Sequence, residues 1–376
     1  MNGKHLTLIE VFGIKIKVNI SWVFIAVLLA WALAQGYFPT AYEGLSEATY
    51  WWMGVVAVFG LFFSILLHEL AHSLVARAFG MEIKGITLWL LGGVAEMTDE
   101  PPHPRAEFLM AIAGPLMSVV LALIFLSLAN VIEQDTELAA MGAVVSYLGM
   151  LNLILAAFNL VPAYPLDGGR VARAALWAWS GDYYYATRVA ARLGSLFGLV
   201  LIVFGVLSAI GGAGLAGLWW VILGMFIRFA ADASNFQLQA ATALKGKSVR
   251  EYMTPNPKTV SPDVSVAELV ENWIYRYSFE FFPVVEAGNL LGSVSLHEVR
   301  AIPPGERAGT KVGDIMIPCS NHNTIPSHAT ASDALAKVQT SSPSLLMVVE
   351  NQTLVGVIGL KDLMRVITIT TELNQK

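Results

Sequence analysis

Residues 68–72 read His-Glu-Leu-Ala-His. In a helix, His68 and His72 stand at i and i+4, so their imidazoles share one face about a turn apart. Two imidazoles so placed suit two corners of a tetrahedral Zn2+. Glu69 is rotated by roughly 100° from His68, where a carboxylate can take a proton from metal-bound water. The chemistry this spacing predicts is metal-assisted hydrolysis. A catalytic zinc needs a third protein ligand and an open position. The candidate is Asp167, in Asn159-Leu-Val-Pro162-Ala-Tyr-Pro165-Leu-Asp167-Gly168-Gly169-Arg170. Two prolines break a helix there. An Asp beside such unwound backbone is a natural metal ligand. An Asp before Gly-Gly-Arg is equally a helix cap.

The elements that must position these groups lie in a membrane. The chain has 376 residues, of which 56% are hydrophobic and 14% charged, against about 25% charged in a soluble domain. Mean hydropathy is +0.61. This excludes disorder, and the single cysteine, Cys319, excludes a disulfide scaffold. Cys319 reads as a small, partly buried residue. A net charge of −5 gives no basic footprint for nucleic acid. Apolar runs at 20–36, 52–76, 108–132, 138–161, 193–210 and 214–229 predict six spanning helices. The His68-Glu69-His72 group falls inside the second. Ionisable groups there cost several kcal/mol and mark function.

Lys and Arg alternate along the connections. They occur at Lys4, Lys15 and Lys17, at Arg77, Lys84 and Arg105, at Arg170, Arg173, Arg188 and Arg192, and at Arg228, Lys245 and Lys247. They are absent from 37–51 and 133–137. This pattern predicts both termini on the cytoplasmic side of the cell membrane. The first 19 residues are too mixed in polarity for a cleaved signal peptide. The stretch 86–97, with Gly92-Gly93 at its centre, is too short to span and predicts a re-entrant hairpin. Its edge would either hold an unwound peptide by strand addition or simply plug the bundle. Val11–Val18 alternates at period two and predicts a further strand. His103, within Pro101-Pro102-His103-Pro104, has no partner at metal spacing and reads as exposed.

His68-Glu69-x-x-His72 in a second span, with Asn159-x-x-Pro162-x4-Asp167-Gly168, resembles the site-2 protease family of intramembrane zinc metalloproteases over about 20–230. Gly114-Pro115 resembles a further segment of that family. Ser118 stands where the family often has Asn, and no role is assigned to it. The resemblance implies one Zn2+ per chain, bound by His68, His72 and Asp167, with Glu69 as the base. It implies that Asn159 holds substrate, although a lone Asn in a span is also interhelical glue. It further implies a sheet beside the active site, a single-span membrane protein as substrate, and a bacterial or archaeal membrane.

The chain repeats itself after 245. Val284-Val285-Glu286 to Gly292-Ser293-Val294 recurs as Val348-Val349-Glu350 to Gly356-Val357-Ile358, and Met253-Thr254-Pro255 as Met316-Ile317-Pro318. Neither copy is large enough for its own core. The pattern resembles a tandem CBS pair over 246–372, an α/β module following a transmembrane domain at 1–235. The resemblance implies ATP or AMP between the repeats, with Asp362 on the ribose, and a homodimer through the CBS domains. Glu298 stands at the matching position of the first repeat. A purely structural dimerisation module is the other reading. The expected whole is a nucleotide-regulated intramembrane protease. The alternative is a CBS-regulated channel or transporter with a His/Glu metal site.

Overall fold

Six helices are long and apolar enough to cross a membrane: Ile20–Ala41, Glu47–Ala78, Pro104–Ile132, Ala139–Asn159, Tyr183–Gly212 and Ala216–Leu244. Only 17–44% of each apolar window is buried inside the protein, so most of their apolar side chains face outward, as lipid-facing helices require. The computed structural model describes residues 5–89, 92–97, 100–132, 138–341, 344–351 and 353–373. The acidic connection 133–137, used above for orientation, lies outside the described residues.

Several helices start well before their hydropathy runs because capping chemistry sets those starts, while Ala139–Asn159 stays within its run. Helix α1 is Ile20–Ala32, continued by a π turn and a short helix to Ala41. Helix α2 is Glu47–Ala78. It starts where the Ser46 hydroxyl accepts the Thr49 N–H at 3.2 Å. Helix α3 is Pro104–Ile132. The exposed His103 serves its start, its Nδ1 accepting the Ala106 N–H at 3.0 Å. Helix α4 is Ala139–Asn159 and α5 is Asp167–Ser180. Helix α6 is Tyr183–Ser208, capped by Asp182, and α7 is Leu215–Leu244. Helices α6 and α7 approach closely at glycines. A Cβ on Gly198 would stand 2.7 Å from the Gly224 carbonyl oxygen.

A four-stranded sheet, in order β1-β2-β3-β4, packs on α2 and α3. Strands β1 (His5–Val11) and β2 (Ile14–Asn19) form a hairpin about Phe12-Gly13, both at positive φ. Strand β2 pairs in parallel with β3 (Ile83–Trp89), and β3 pairs antiparallel with β4 (Gly92–Met97). The arm therefore supplies two strands rather than one, because the turn falls at Phe12-Gly13 inside the alternating run. Gly92-Gly93 opens β4 rather than forming the turn. Ile14, Ile16, Ile86 and Leu88 are at most 1% exposed, so this sheet belongs to the core and β4 is one of its edges.

The chain divides into units 1–235 and 236–376. In the second, β5 (Phe281–Glu286) and β6 (Asn289–Ser295) form a hairpin followed by α8 (Leu296–Arg300). Strands β7 (Leu345–Glu350) and β8 (Thr353–Gly359), followed by α9 (Leu360–Leu373), repeat that order. The segments before each repeat cross over. Thr254–Pro255 pairs with β8 and Ile317–Pro318 with β6, so each sheet carries a strand from the other copy. Cys319 is exposed rather than partly buried, because it leaves the sheet at the end of that exchanged strand.

Candidate metal centre

Three donor atoms converge from two helices. His68 Nε2 lies 3.2 Å from Asp167 Oδ2, His72 Nε2 lies 3.3 Å from the same oxygen, and the two Nε2 atoms are 3.2 Å apart. Ligands at about 2.0–2.1 Å from a tetrahedral zinc are separated by about 3.3 Å. The triangle has that size, and its two nitrogens and one oxygen are the donor set of a catalytic site with one position left over. Both histidines are buried, at 4% and 7% exposure.

Helix α3 holds both rings and fixes the tautomer of His72. The Met110 carbonyl accepts from His72 Nδ1 at 2.7 Å, so that nitrogen carries the proton and Nε2 offers its lone pair. His68 Nδ1 meets Ser118 Oγ at 2.9 Å. Such outer partners orient metal-binding imidazoles. Gly114 completes this wall. A Cβ there would stand 2.1 Å from His72 Nε2 and 2.6 Å from His68 Nε2, in the space a metal would take. Glu107, Met110, Gly114 and Ser118 follow at i, i+3, i+7 and i+11, one face of α3, and all four are buried.

Asp167 is the first residue of α5. The N-cap is Leu166, with no side-chain cap, so the Asp167 carboxylate is turned to the imidazoles instead of the helix end. Gly168 and Gly169 permit this. A Cβ on either would stand 2.3 Å from the broken segment's backbone, at the Leu160 oxygen and the Tyr164 nitrogen. Glu69 lines a cavity of about 420 Å³ together with His68, Asp167, Asn159 and Gly93. Edge strand β4 comes directly over it, since a Cβ on Gly93 would stand 2.4 Å from Glu69 Cγ. The remaining lining is largely apolar, with Trp22 and Leu29 from α1 and Trp219 and Phe226 from α7.

The structure thus brings His68, Glu69, Asp167 and Asn159 to one cavity, and His72 joins His68 and Asp167 in the donor triangle. The interhelical hydrogen bond on α4 is made by Asn152, whose Nδ2 donates to Ser64 Oγ at 3.0 Å. Sequence reasoning passed over Ser118, Gly93 and the Met110 carbonyl. For Ser118 and Met110 the signal was present as the single stripe on α3. Asp362 stands in the other unit, its Oδ2 accepting the Gly359 N–H at 2.9 Å. Glu298 Oε2 is held by both the amide and the hydroxyl of Ser295, at 2.7 and 2.6 Å.

Comparison with known proteins places the chain in a family. The profile of Peptidase family M50 matches residues 56–134 and 127–205, and that of the CBS domain matches 249–304 and 312–369. Zinc metalloprotease MJ0392 of Methanocaldococcus jannaschii is 30% identical over 366 residues, 97% of this chain and 96% of that protein. Rip3 of Mycobacterium tuberculosis, named as a zinc metalloprotease, is 33% identical over 356 residues, 94% and 90% of the two chains. The solved site-2 protease from M. jannaschii is 29% identical, with a TM-score of 0.43 over 62% of this chain and 95% of that one. The chain belongs to peptidase family M50, the site-2 proteases, and is a multi-pass intramembrane zinc metalloprotease carrying a CBS pair.

Proposed function

We propose that one zinc ion is held by His68, His72 and Asp167, and that the protein cleaves a peptide bond within or beside the transmembrane segment of a single-span membrane protein. The observation that carries this reading is the triangle of 3.2, 3.2 and 3.3 Å between three buried donors, with Glu69 on the same cavity. When bound, zinc polarises the scissile carbonyl and lowers the pKa of its water to near 7. Glu69, on the same cavity, would serve as the base that takes a proton from the attacking water and returns it to the leaving amine. Asn159, at the end of α4, holds the substrate backbone.

A spanning helix hides its peptide bonds, so the substrate must be unwound. Edge strand β4, lying against Glu69, offers main-chain hydrogen bonds to an extended segment. Apolar lining from α1 and α7 suits entry of an apolar helix. The distribution of Lys and Arg supports cytoplasmic termini and a cytoplasmic CBS pair. That pair binds ATP or AMP through Asp362, dimerises the protein, and through nucleotide binding alters cleavage.

The test uses purified full-length protein and a tagged single-span substrate. Wild type is expected to carry about one zinc per chain and to lose cleavage on chelation. Glu69→Gln is expected to keep its zinc and lose cleavage by at least about a hundredfold, the lower end for a missing general base. A zinc-free wild type, or a Glu69→Gln variant that cleaves at the wild-type rate, sinks the reading.

A further inference from the structure

Outside the metal ligands, the most deeply buried charge among the described residues of this unit is the pair Glu107–Arg173. Glu107 is 0% exposed and Arg173 5%. Arg173 Nε donates to Glu107 Oε1 at 2.7 Å, and Nη2 donates to the same oxygen. The guanidinium lies between two rings, with centroids 5.2 Å away at Tyr164 and 5.1 Å away at Tyr183. Four segments therefore meet at one side chain: α3 through Glu107, the break through Tyr164, α5 through Arg173 itself, and the start of α6 through Tyr183. The second carboxylate oxygen of Glu107 is buried without a hydrogen-bond partner. An ion pair satisfied this incompletely contributes little net stability against an apolar pair of similar volume. What it fixes is geometry.

The spacing shows which geometry. Helix α3 forms the wall that holds both imidazoles, and Gly114 marks the level of their Nε2 atoms. From Gly114 back to Glu107 is seven residues, about 10.5 Å along α3. From Asp167 to Arg173 is six residues, about 9 Å along α5. The two helices are thus tied at two levels about the same distance apart, once through the donor triangle and once through the ion pair. A hydrogen-bonded guanidinium is planar and directional, so it resists rotation of α5 about its axis, which a single contact would allow. We propose that Glu107 and Arg173 are positioning residues. They lock α5 and the break against α3 so that the Asp167 carboxylate reaches the two imidazoles.

This inference rests on the zinc reading above. The test uses full-length protein in detergent or nanodiscs and measures three quantities: thermal midpoint, zinc affinity by chelator competition, and kcat with KM on the tagged substrate. Glu107→Leu/Arg173→Met removes both charges while keeping volume. It is expected to stay monodisperse, to bind zinc about tenfold more weakly or worse, and to lose kcat by a similar factor with KM within about twofold. Arg173→Lys, which keeps the charge and loses the fork, is expected to fall between. If the double variant does not fold, Tyr164→Leu, which removes one face of the sandwich, decides by the same three readings. Zinc affinity and kcat within about twofold of wild type in the folded variant overturn the proposal, because a merely stabilising pair would move only the thermal midpoint. A wild type without zinc overturns the centre itself, and this inference with it. A zinc-loaded wild type with unchanged variants overturns the positioning role alone.

Discussion

At position 114 an alanine Cβ would stand 2.1 Å from one imidazole nitrogen and 2.6 Å from the other. Each ring is tied at its Nδ1 to Met110 or Ser118, so a retreat of either nitrogen would strain that hydrogen bond. Gly114→Ala is therefore expected to weaken zinc binding by more than about a hundredfold, beyond the usual loss from an outer partner. The check is zinc content after dialysis against a weak chelator. Ser118→Ala removes an orienting partner without filling the cradle. It is expected to cost about tenfold in zinc affinity, read by the same competition. A Gly114→Ala variant that still carries one zinc would refute the cradle. His68, Glu69 and His72 were legible in the sequence because helical periodicity alone sets their relation. Ser118 was legible only as a member of the stripe on α3; its role depends on how α3 is rotated against α2, and no local spacing encodes that rotation.

Between elements, close approach is written in glycine. Helices α6 and α7 meet where a Cβ on Gly198 would stand 2.7 Å from the Gly224 carbonyl oxygen, and one on Gly205 would stand 2.7 Å from that of Gly217. Backbone cannot yield there as a flexible side chain does, so Gly198→Ala must push the helices apart. Overpacking of this kind costs about 1–3 kcal/mol. A lowered thermal midpoint in detergent is the expected outcome. Gly36 has nothing within 4 Å of its built Cβ, so Gly36→Ala is the control and should leave the midpoint unchanged or raise it. Equal effects at both positions would argue against helix contact as the cause. The six spans were legible from hydropathy, but their ends were not. Ser46, His103 and Asp182 begin α2, α3 and α6 through hydrogen bonds that hydropathy ignores. The short sheet was half legible. Its period-two runs were visible, but the turn at Phe12-Gly13 hid inside one of them.

At the scale of the whole molecule, one helix takes part in both units. Helix α7 lines the active-site cavity with Trp219, Leu223, Phe226 and Ile227. Farther along the same helix, Ala240, Ala243 and Leu244 enter the core of the second unit, beside Val249, Leu346 and Ile358. The apolar run ends near 229, so hydropathy placed the end of this helix well short of Leu244. Beyond that point an alanine-rich, amphipathic stretch carries it on, and only helix propensity signals the continuation. On the proposed function, nucleotide bound to the CBS pair alters cleavage, and α7 is the route tested below. On the proposed function, nucleotide is held by the second repeat, through Asp362. Asp362 has one carboxylate oxygen engaged by a single backbone N–H, while Glu298 is committed twice over to Ser295. Asp362→Ala is expected to abolish ATP or AMP binding measured by calorimetry, with Glu298→Ala leaving it intact. In wild type, saturating nucleotide is expected to change kcat by about fivefold or more, the lower bound of a typical coupling. Two glycines inserted after Ala233 should keep nucleotide affinity and basal cleavage and reduce that change to less than about 1.5-fold, because Gly melts the joint. An insertion variant that responds as wild type does would show that the signal travels by another route.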